Sequence, residues 1–250
     1  MSMFKPATSS NRLWLGLYGP EGAGKSHTAI NIAVATKLAL GLEGPIAVID
    51  TENAFGFHAA RVKSATGQDL MVAGTRDLKE VETAIGEAIK GGCSILIIDS
   101  LTHVLRQARL DWCERKGKSL DQMQPQDYGA SDARFKRLVD RLVTQQLNII
   151  LCGRQGTVYG RYKNKRGEWK EGPVGTKFNA GEAGYEVDVL IELGRDPKKD
   201  GSFDRTAVVR KDRSDTLPKG VIHVPWRASE VFSGFFGYLK GDTAESDGEA

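Results

Sequence analysis

The chain has 250 residues, and its content of 40% hydrophobic and 27% charged residues is typical of a globular protein with one large domain or two small ones. No apolar run approaches the ~18 residues that a membrane helix needs, and the first residues lack the apolar core of a signal peptide. The three cysteines include no C-x-x-C pair, which argues against a disulfide framework or a metal cluster. We therefore expect a cytoplasmic protein that has no membrane partner.

The net charge of +3 is unevenly distributed along the chain. The last ten residues carry four acids and no base, whereas residues 154–177 carry seven Lys or Arg residues against two Glu residues, a net charge of +5. We expect the basic segment to bind a polyanion, and residues 241–250 to form an acidic disordered tail. Two roles for the tail stay open: competition with the polyanion, or solubility alone.

The predicted elements alternate between strands and helices. Strands are predicted at 13–18, 45–50, 94–99 and 147–152, and helices at 25–39, at 76–90 and from a cap at Ser131 to about Gln145. Turn-rich strands follow at 186–193, 204–211 and 221–225, and then a short helix at 228–239. This pattern predicts an α/β fold over residues 12–240, with a mainly parallel central sheet, flanking helices and antiparallel strands at one edge. Residues 1–11 are expected to form a flexible arm.

Residues 19–26 read GPEGAGKS and match the phosphate-binding pattern G-x-x-x-x-G-K-[ST], between a predicted strand and a predicted helix. The glycines let the backbone curl so that N–H groups point at phosphate oxygens, beside the positive end of the helix. The pattern assigns Lys25 to the β- and γ-phosphates of ATP, and Ser26 to Mg²⁺. The predicted nucleotide-binding residues are Gly19, Pro20, Glu21, Gly22, Ala23, Gly24, Lys25, Ser26 and His27.

ATP hydrolysis also needs carboxylates near the phosphates, one beside the metal ion and one that activates water. Asp99 ends the apolar strand SILIID, where it should emerge beside the phosphate loop as the aspartate on the metal side; Asp50, at the end of AVID, is the rival. The residue after Asp99 is Ser100 rather than Glu, so a carboxylate that activates water has to come from elsewhere. Glu52, just beyond strand 45–50, is well placed for that role. The alternative for Glu52 is an acid in a surface loop.

The combination of GPEGAGKS, D-T-E-N after the second strand and LIIDS resembles the core of RecA-like P-loop ATPases over residues 12–225. In that family the glutamate after the second strand polarises the attacking water, so the resemblance implies that Glu52 is the general base. The length of the chain looks similar to bacteriophage recombination ATPases of the single-strand-annealing type. This implies an ATP- and Mg²⁺-dependent, phage-encoded enzyme that acts in DNA recombination or annealing.

The resemblance also implies residues that sense the γ-phosphate. A polar residue after strand 147–152 does so in RecA-like proteins and signals to a DNA-binding loop; Arg154 and Gln155 both fit. Residues 209–214 read VRKDRS and match the K-x-R of the replicative-helicase and RadA branches. Lys211 and Arg213 are therefore expected to reach the γ-phosphate of a neighbouring subunit, which requires a homo-oligomer, either a ring or a filament. Two solvated charges on an edge strand are the alternative.

Residues 159–172 read YGRYKNKRGEWKEG and begin where RecA-like ATPases place a DNA-contacting loop. The N-K-R-G stretch at 164–167 predicts a hairpin with Lys163 opposite Trp169 and Arg161 opposite Glu171. Its bases can bind phosphates, and its aromatic rings can stack on the bases of single-stranded DNA. The predicted DNA-binding residues are Arg161, Tyr162, Lys163, Lys165, Arg166, Trp169 and Lys170. A solvated hairpin in which Trp169 packs on Lys163 is the alternative.

Two other functions stay open for these motifs. A nucleotide-switched regulatory or scaffold ATPase would bind protein rather than DNA, and a P-loop kinase would phosphorylate a small acceptor. The sequence shows no arginine-rich lid followed by an acceptor pocket, which argues against the kinase. The expected partners are single-stranded DNA, further copies of the chain, and a single-strand-binding or other replication protein.

Overall fold

The computed structural model describes residues 12–164, 166–223 and 227–241. The predicted arm and the predicted tail beyond Gly241 lie outside these residues. Nine strands in the described part form one sheet. They are β1 (Trp14–Gly19), β2 (Ile46–Asp50), β3 (Met71–Gly74), β4 (Ile95–Asp99), β5 (Asn148–Lys163), β6 (Trp169–Phe178), β7 (Val189–Pro197), β8 (Phe203–Asp212) and β9 (Val221–His223).

The helices that connect these strands are mostly amphipathic or buried. They are α1 (Lys25–Leu40), α2 (Ala59–Thr66), α3 (Leu78–Lys90), α4 (Leu101–Arg115), α5 (Pro125–Thr144), α6 (Ala183–Glu186), α7 (Ala228–Val231) and α8 (Ser233–Lys240). Short 3₁₀ turns occupy Gly56–His58 and Leu120–Gln122.

The sheet has the strand order β3-β2-β4-β5-β1-β7-β8-β9, and β6 pairs with β5 outside this path. The first six strands in this order run parallel, and β8 and β9 add an antiparallel edge. The predicted α/β fold with a mainly parallel sheet and an antiparallel edge is therefore confirmed. The carboxyl ends of β1, β2, β4 and β7 all meet at one edge of the sheet, and β5 crosses the same edge before it enters the hairpin.

Both faces of the sheet are covered, because β2 and β4 bury every residue. Ile30 of α1, Phe235 of α8 and Phe232, which lies between α7 and α8, pack on one face. Val104 of α4 and Leu138 of α5 pack on the other. Each such side chain contributes about 1.5–3 kcal/mol by leaving water. The packing holds the strand ends in fixed positions, so the loops that follow them start from a rigid base.

The predicted helix start at Ser131 is wrong, because α5 begins at Pro125. Proline fits the first position of a helix, and the Asp127 carboxylate accepts the Gln124 N–H at 3.0 Å, which supplies a cap seven residues earlier. Ser131 lies inside the helix, where its hydroxyl donates to the Tyr128 carbonyl. The strand predicted from residue 186 begins only at Val189 because α6 precedes it, and the predicted final helix is divided into α7 and α8.

Further elements of the fold were not predicted, and the longest of them is α4. The edge strand β3 and the helix α2 are short and partly exposed, so neither carries a clear apolar pattern. The strand predicted at 147–152 continues as β5 to Lys163, and its second half leaves the core as one arm of the hairpin.

Candidate functional site

The loop between β1 and α1 borders a cavity of about 430 Å³. Gly22 and Gly24 have φ angles of 72° and 90°, which favour glycine, and Gly24 caps α1 so that the helix begins at Lys25. A Cβ on Gly19 would lie 2.3 Å from the Leu193 carbonyl oxygen, so only glycine fits there. Of the nine predicted nucleotide-binding residues, all line the cavity except Ala23, which is buried.

Ser26, at the end of the phosphate loop, contacts the end of β4. The Ser26 hydroxyl donates to Asp99 Oδ2 at 2.5 Å, and the Asp99 side chain is buried. Burial raises the pKa of Asp99 to about 6, against the opposing effect of the Ser26 hydrogen bond. A hydroxyl and a desolvated carboxylate at the end of a phosphate loop are oxygen ligands of the type that Mg²⁺ takes, so these residues fit that ion.

Asp50, the rival metal-side aspartate, has a different environment. Its two carboxylate oxygens accept the N–H groups of Glu52 and Phe55 at 3.0 Å each. Asp50 therefore shapes the loop after β2, whereas Asp99 lines the cavity. Within the described residues, no group of three or more His, Cys, Asp or Glu side chains could hold a metal by itself, which leaves the Ser26–Asp99 pair as the metal-side candidate.

Glu52 lines the same cavity from the loop after β2. Its Oε1 lies 3.5 Å from Arg154 Nη2 and 3.4 Å from His103 Nδ1. The structure thus brings the predicted general base, the metal-side aspartate and the phosphate lysine onto one cavity, although they come from three different strand ends.

Arg154 and Gln155 both line the cavity, and they have different partners. Arg154 reaches Glu52, while Gln155 Nε2 donates to Glu192 Oε1 at 3.5 Å. The sequence leaves open which of them senses the γ-phosphate, and in the structure each contacts a different glutamate.

Glu192 is a buried carboxylate that accepts hydrogen bonds from several strands, and the sequence did not indicate a role for it. Its carboxylate accepts from Thr176 Oγ1 and Arg210 Nε at 2.6 Å each and from the Tyr18 hydroxyl at 3.2 Å. Together with Gln155, these contacts join β1, β5, β6 and β8 at one point. The sequence signal was a single charge inside the apolar run VLIELG, since a buried charge needs partners.

Lys211 and Arg213 do not join the cavity of their own chain. Because β8 runs antiparallel to β7, Asp212 pairs with Val189, at the edge of the sheet opposite to the phosphate loop. Lys211 Nζ donates to the Tyr185 carbonyl at 2.6 Å, and Arg213 pairs with Asp188 at 2.8 Å. A role at a γ-phosphate therefore requires a second subunit.

The basic hairpin consists of β6 and the second half of β5. Arg161 pairs with Glu171 and Lys163 with Trp169, as predicted, and Gly167 closes the turn with a φ angle of 78°. Arg161 and Lys163 lie 5.5 Å and 5.3 Å from the centre of the Trp169 ring, and 60% of Trp169 remains exposed. Both earlier interpretations thus describe part of the geometry, because Trp169 packs on the cations and still presents a free ring.

The charges of the hairpin are available to a ligand. Among the described residues, no carboxylate forms an ion pair with Arg161, Lys163, Arg166 or Lys170. Lys165 lies outside the described residues. Alternation along β5 places Tyr159, 75% exposed, on the same face as Arg161 and Lys163. This face combines aromatic rings with cations, the pattern that suits a single-stranded nucleic acid.

Two further observations concern parts of the chain outside the cavity and the hairpin. The bases Arg109 and Lys118, in and just after α4, form ion pairs with Asp132 and Asp127 within the chain. Over residues 12–164, 166–223 and 227–241, no helix is long and apolar enough to cross a membrane.

Comparisons with known proteins agree with this geometry. A family model described as an AAA domain matches residues 11–217, and no curated protein gives a match. The chain is similar to the crystal structure of a KaiC-like protein from the hyperthermophilic archaeon Pyrococcus horikoshii, with 14% identity and a TM-score of 0.50 over 84% of this chain and 88% of that one. At this identity the likeness shows the fold alone, which is RecA-like.

Proposed function

Since this chain belongs to the AAA domain family, we propose that it is an ATP- and Mg²⁺-dependent ATPase that binds single-stranded DNA and acts in recombination or annealing. The RecA-like fold supports ATP hydrolysis. The proposal for DNA depends on one observation: β5 runs without a break from the cavity, at Arg154 and Gln155, into the exposed cations and rings of the hairpin. Phage origin follows only from the resemblance in length and motifs.

The cavity brings together most of the groups that hydrolysis needs. The loop N–H groups and Lys25 hold the phosphates, and Ser26 and Asp99 would hold Mg²⁺, which neutralises phosphate charge when it is bound. Glu52 accepts a proton from the attacking water. Arg154 contacts Glu52 in the present structure, and a γ-phosphate would compete for the same guanidinium.

The second cationic group belongs to a neighbouring copy. Lys211 and Arg213 are too far from their own phosphate loop, so they would stabilise the transition state of the adjacent subunit. The active site is then shared, and the protein hydrolyses ATP as a ring or a filament. A single-strand-binding or other replication protein is a further proposed partner.

An ATPase assay with and without single-stranded DNA tests the proposal. We expect DNA to raise turnover and high salt to remove the effect, because phosphate contacts release counterions. Turnover that is unaffected by DNA, in a protein that also fails to bind it, would favour a regulatory or scaffold ATPase. A phosphorylated small product would favour a kinase.

A further inference from the structure

His103 is a buried imidazole beside the proposed general base. It lies in the first turn of α4, with 8% of its surface exposed. Its Nδ1 is 2.9 Å from the Thr51 hydroxyl and 3.4 Å from Glu52 Oε1. Neither the phosphate-loop motif nor the family resemblance gave this residue a role.

The hydrogen bonds around Thr51 determine the form of His103 that fits. The Ser100 N–H donates to Thr51 Oγ1 at 2.9 Å, so the proton of the Thr51 hydroxyl is free to point at His103 Nδ1. A neutral imidazole accepts this proton and carries its own hydrogen on Nε2. Nδ1 then has no hydrogen for Glu52.

The surrounding charges favour the neutral form. Arg76 comes from the loop before α3, Arg106 from α4 and Arg154 from β5, while Glu52 is the acid that faces the ring. Burial lowers the pKa of His103, and the three arginines lower it further, against the opposing effect of Glu52. At neutral pH the ring is therefore uncharged.

We propose that His103 is a positioning residue that controls the availability of Glu52. Neutral His103 donates no hydrogen bond to the Glu52 carboxylate, which can then accept the proton of the attacking water once a γ-phosphate binds Arg154 in its place. Protonated His103 donates Nδ1–H to Oε1, which holds the carboxylate in an ion pair and weakens it as a base. The inference rests on the proposed role of Glu52 in ATP hydrolysis.

Two variants separate this role from packing. His103→Asn keeps a polar atom near Nδ1 and does not titrate, whereas His103→Leu removes the polar contact. Because neither leucine nor asparagine titrates, we expect any difference in kcat between His103→Leu and His103→Asn to be the same at every pH. We expect His103→Asn to keep a measurable part of kcat. One pH unit below the pKa of His103, only about a tenth of the wild-type imidazoles are neutral. At that pH we expect the ratio of kcat in His103→Asn to kcat in wild type to be about tenfold higher than at pH 8.

The same comparison can contradict the proposal. A ratio of His103→Asn to wild type that stays constant from pH 8 down to one unit below the pKa of His103, as measured by NMR, overturns it, because a change of packing alone would act at every pH. Asp99 titrates in both proteins, so its effect on the profile cancels in the ratio. Binding of an ATP analogue to each variant checks that the cavity is intact.

An NMR titration tests the contact without hydrolysis. The chain has four histidines, and the His103 signal is the one that His103→Asn removes. In Glu52→Gln we expect the pKa of His103 to fall, since the neighbouring negative charge is lost. An unchanged pKa overturns the proposal. Wild-type turnover in Glu52→Gln would overturn the general base itself, whereas lost turnover with a constant pH ratio would overturn His103 alone.

Discussion

The edge of the sheet beside the phosphate loop and the basic hairpin are connected by one strand, β5, and they are built in opposite ways. At the edge, Ser26 and Asp99 are held by a buried strand and a short hydrogen bond, and the more exposed Glu52 is held by contacts of 3.4 and 3.5 Å with His103 and Arg154. In the hairpin, Arg161, Lys163 and Trp169 are exposed and touch mainly one another. Packing therefore defines the chemistry at the edge before a ligand arrives, whereas the hairpin presents charge and rings whose final arrangement depends on what binds.

Lys25→Ala should separate the two regions most strongly. Loss of the lysine removes the charge that holds the β- and γ-phosphates, so ATP affinity should fall by at least about a hundredfold. Binding of single-stranded DNA without nucleotide should persist, because the hairpin keeps all its cations. Isothermal titration with ATP and fluorescence anisotropy with labelled DNA measure the two effects. Lys90→Ala, on an exposed helix end, is the control, and equal loss of ATP binding in both would contradict the assignment.

Arg213→Ala tests whether one chain contains every residue of the active site. We expect ATP binding to persist and turnover to fall by about 10²–10³, since an arginine that acts in trans stabilises the transition state alone. Arg227→Ala removes another exposed arginine in an ion pair and should have no such effect. Unchanged turnover in Arg213→Ala would refute the shared site.

Replacement of Arg161, Lys163, Lys165 and Arg166 by Ala tests the hairpin. Affinity for single-stranded DNA should fall about 10- to 100-fold, and the slope of log K against log salt should decrease by about 3, at ~0.7 per lost phosphate contact. Basal ATP hydrolysis should survive. Four exposed lysines elsewhere, Lys63, Lys90, Lys219 and Lys240, give a control with the same loss of charge. Equal DNA affinity in the hairpin variant and wild type would refute the role of the hairpin.

The smallest expected effect concerns pH and stability at the edge. Because the folded state lowers the pKa of His103, the unfolded chain binds more protons as pH falls below about 6.5, and stability is lost in that range. His103→Asn should therefore show a smaller drop in Tm between pH 7.5 and 5.5 than wild type, by about a few degrees. Identical drops in both proteins would show that His103 titrates alike in the folded and unfolded states.

The sequence was informative where chemistry and local structure coincide. The motif GPEGAGKS is specific for a phosphate-binding loop, so the conformation of this segment could be predicted. Asp99 could be assigned to the nucleotide site because it ends an apolar parallel strand, at the edge of the sheet where ligands bind. The hairpin register followed from one Asn and one Gly. Ser131 was placed wrongly because a proline and an Asp–backbone contact made an earlier helix start more stable.

The contacts that could not be predicted are those made by packing between distant segments. His103 meets Glu52 across 51 residues of sequence, and Glu192 meets Gln155 and Thr176 from separate strands. No local pattern specifies such pairs, because they depend on how the helices and strands assemble. These contacts also connect residues of the nucleotide cavity, Glu52 and Gln155, to α4, β6 and β7.

The central claim is that the nucleotide cavity and the hairpin of one chain act together. The most direct test is the affinity for single-stranded DNA with and without a non-hydrolysable ATP analogue, in wild type and in Lys25→Ala. If the cavity and the hairpin are coupled, the analogue tightens DNA binding in wild type and has no effect in Lys25→Ala. The same DNA affinity with and without the analogue in wild type would contradict it.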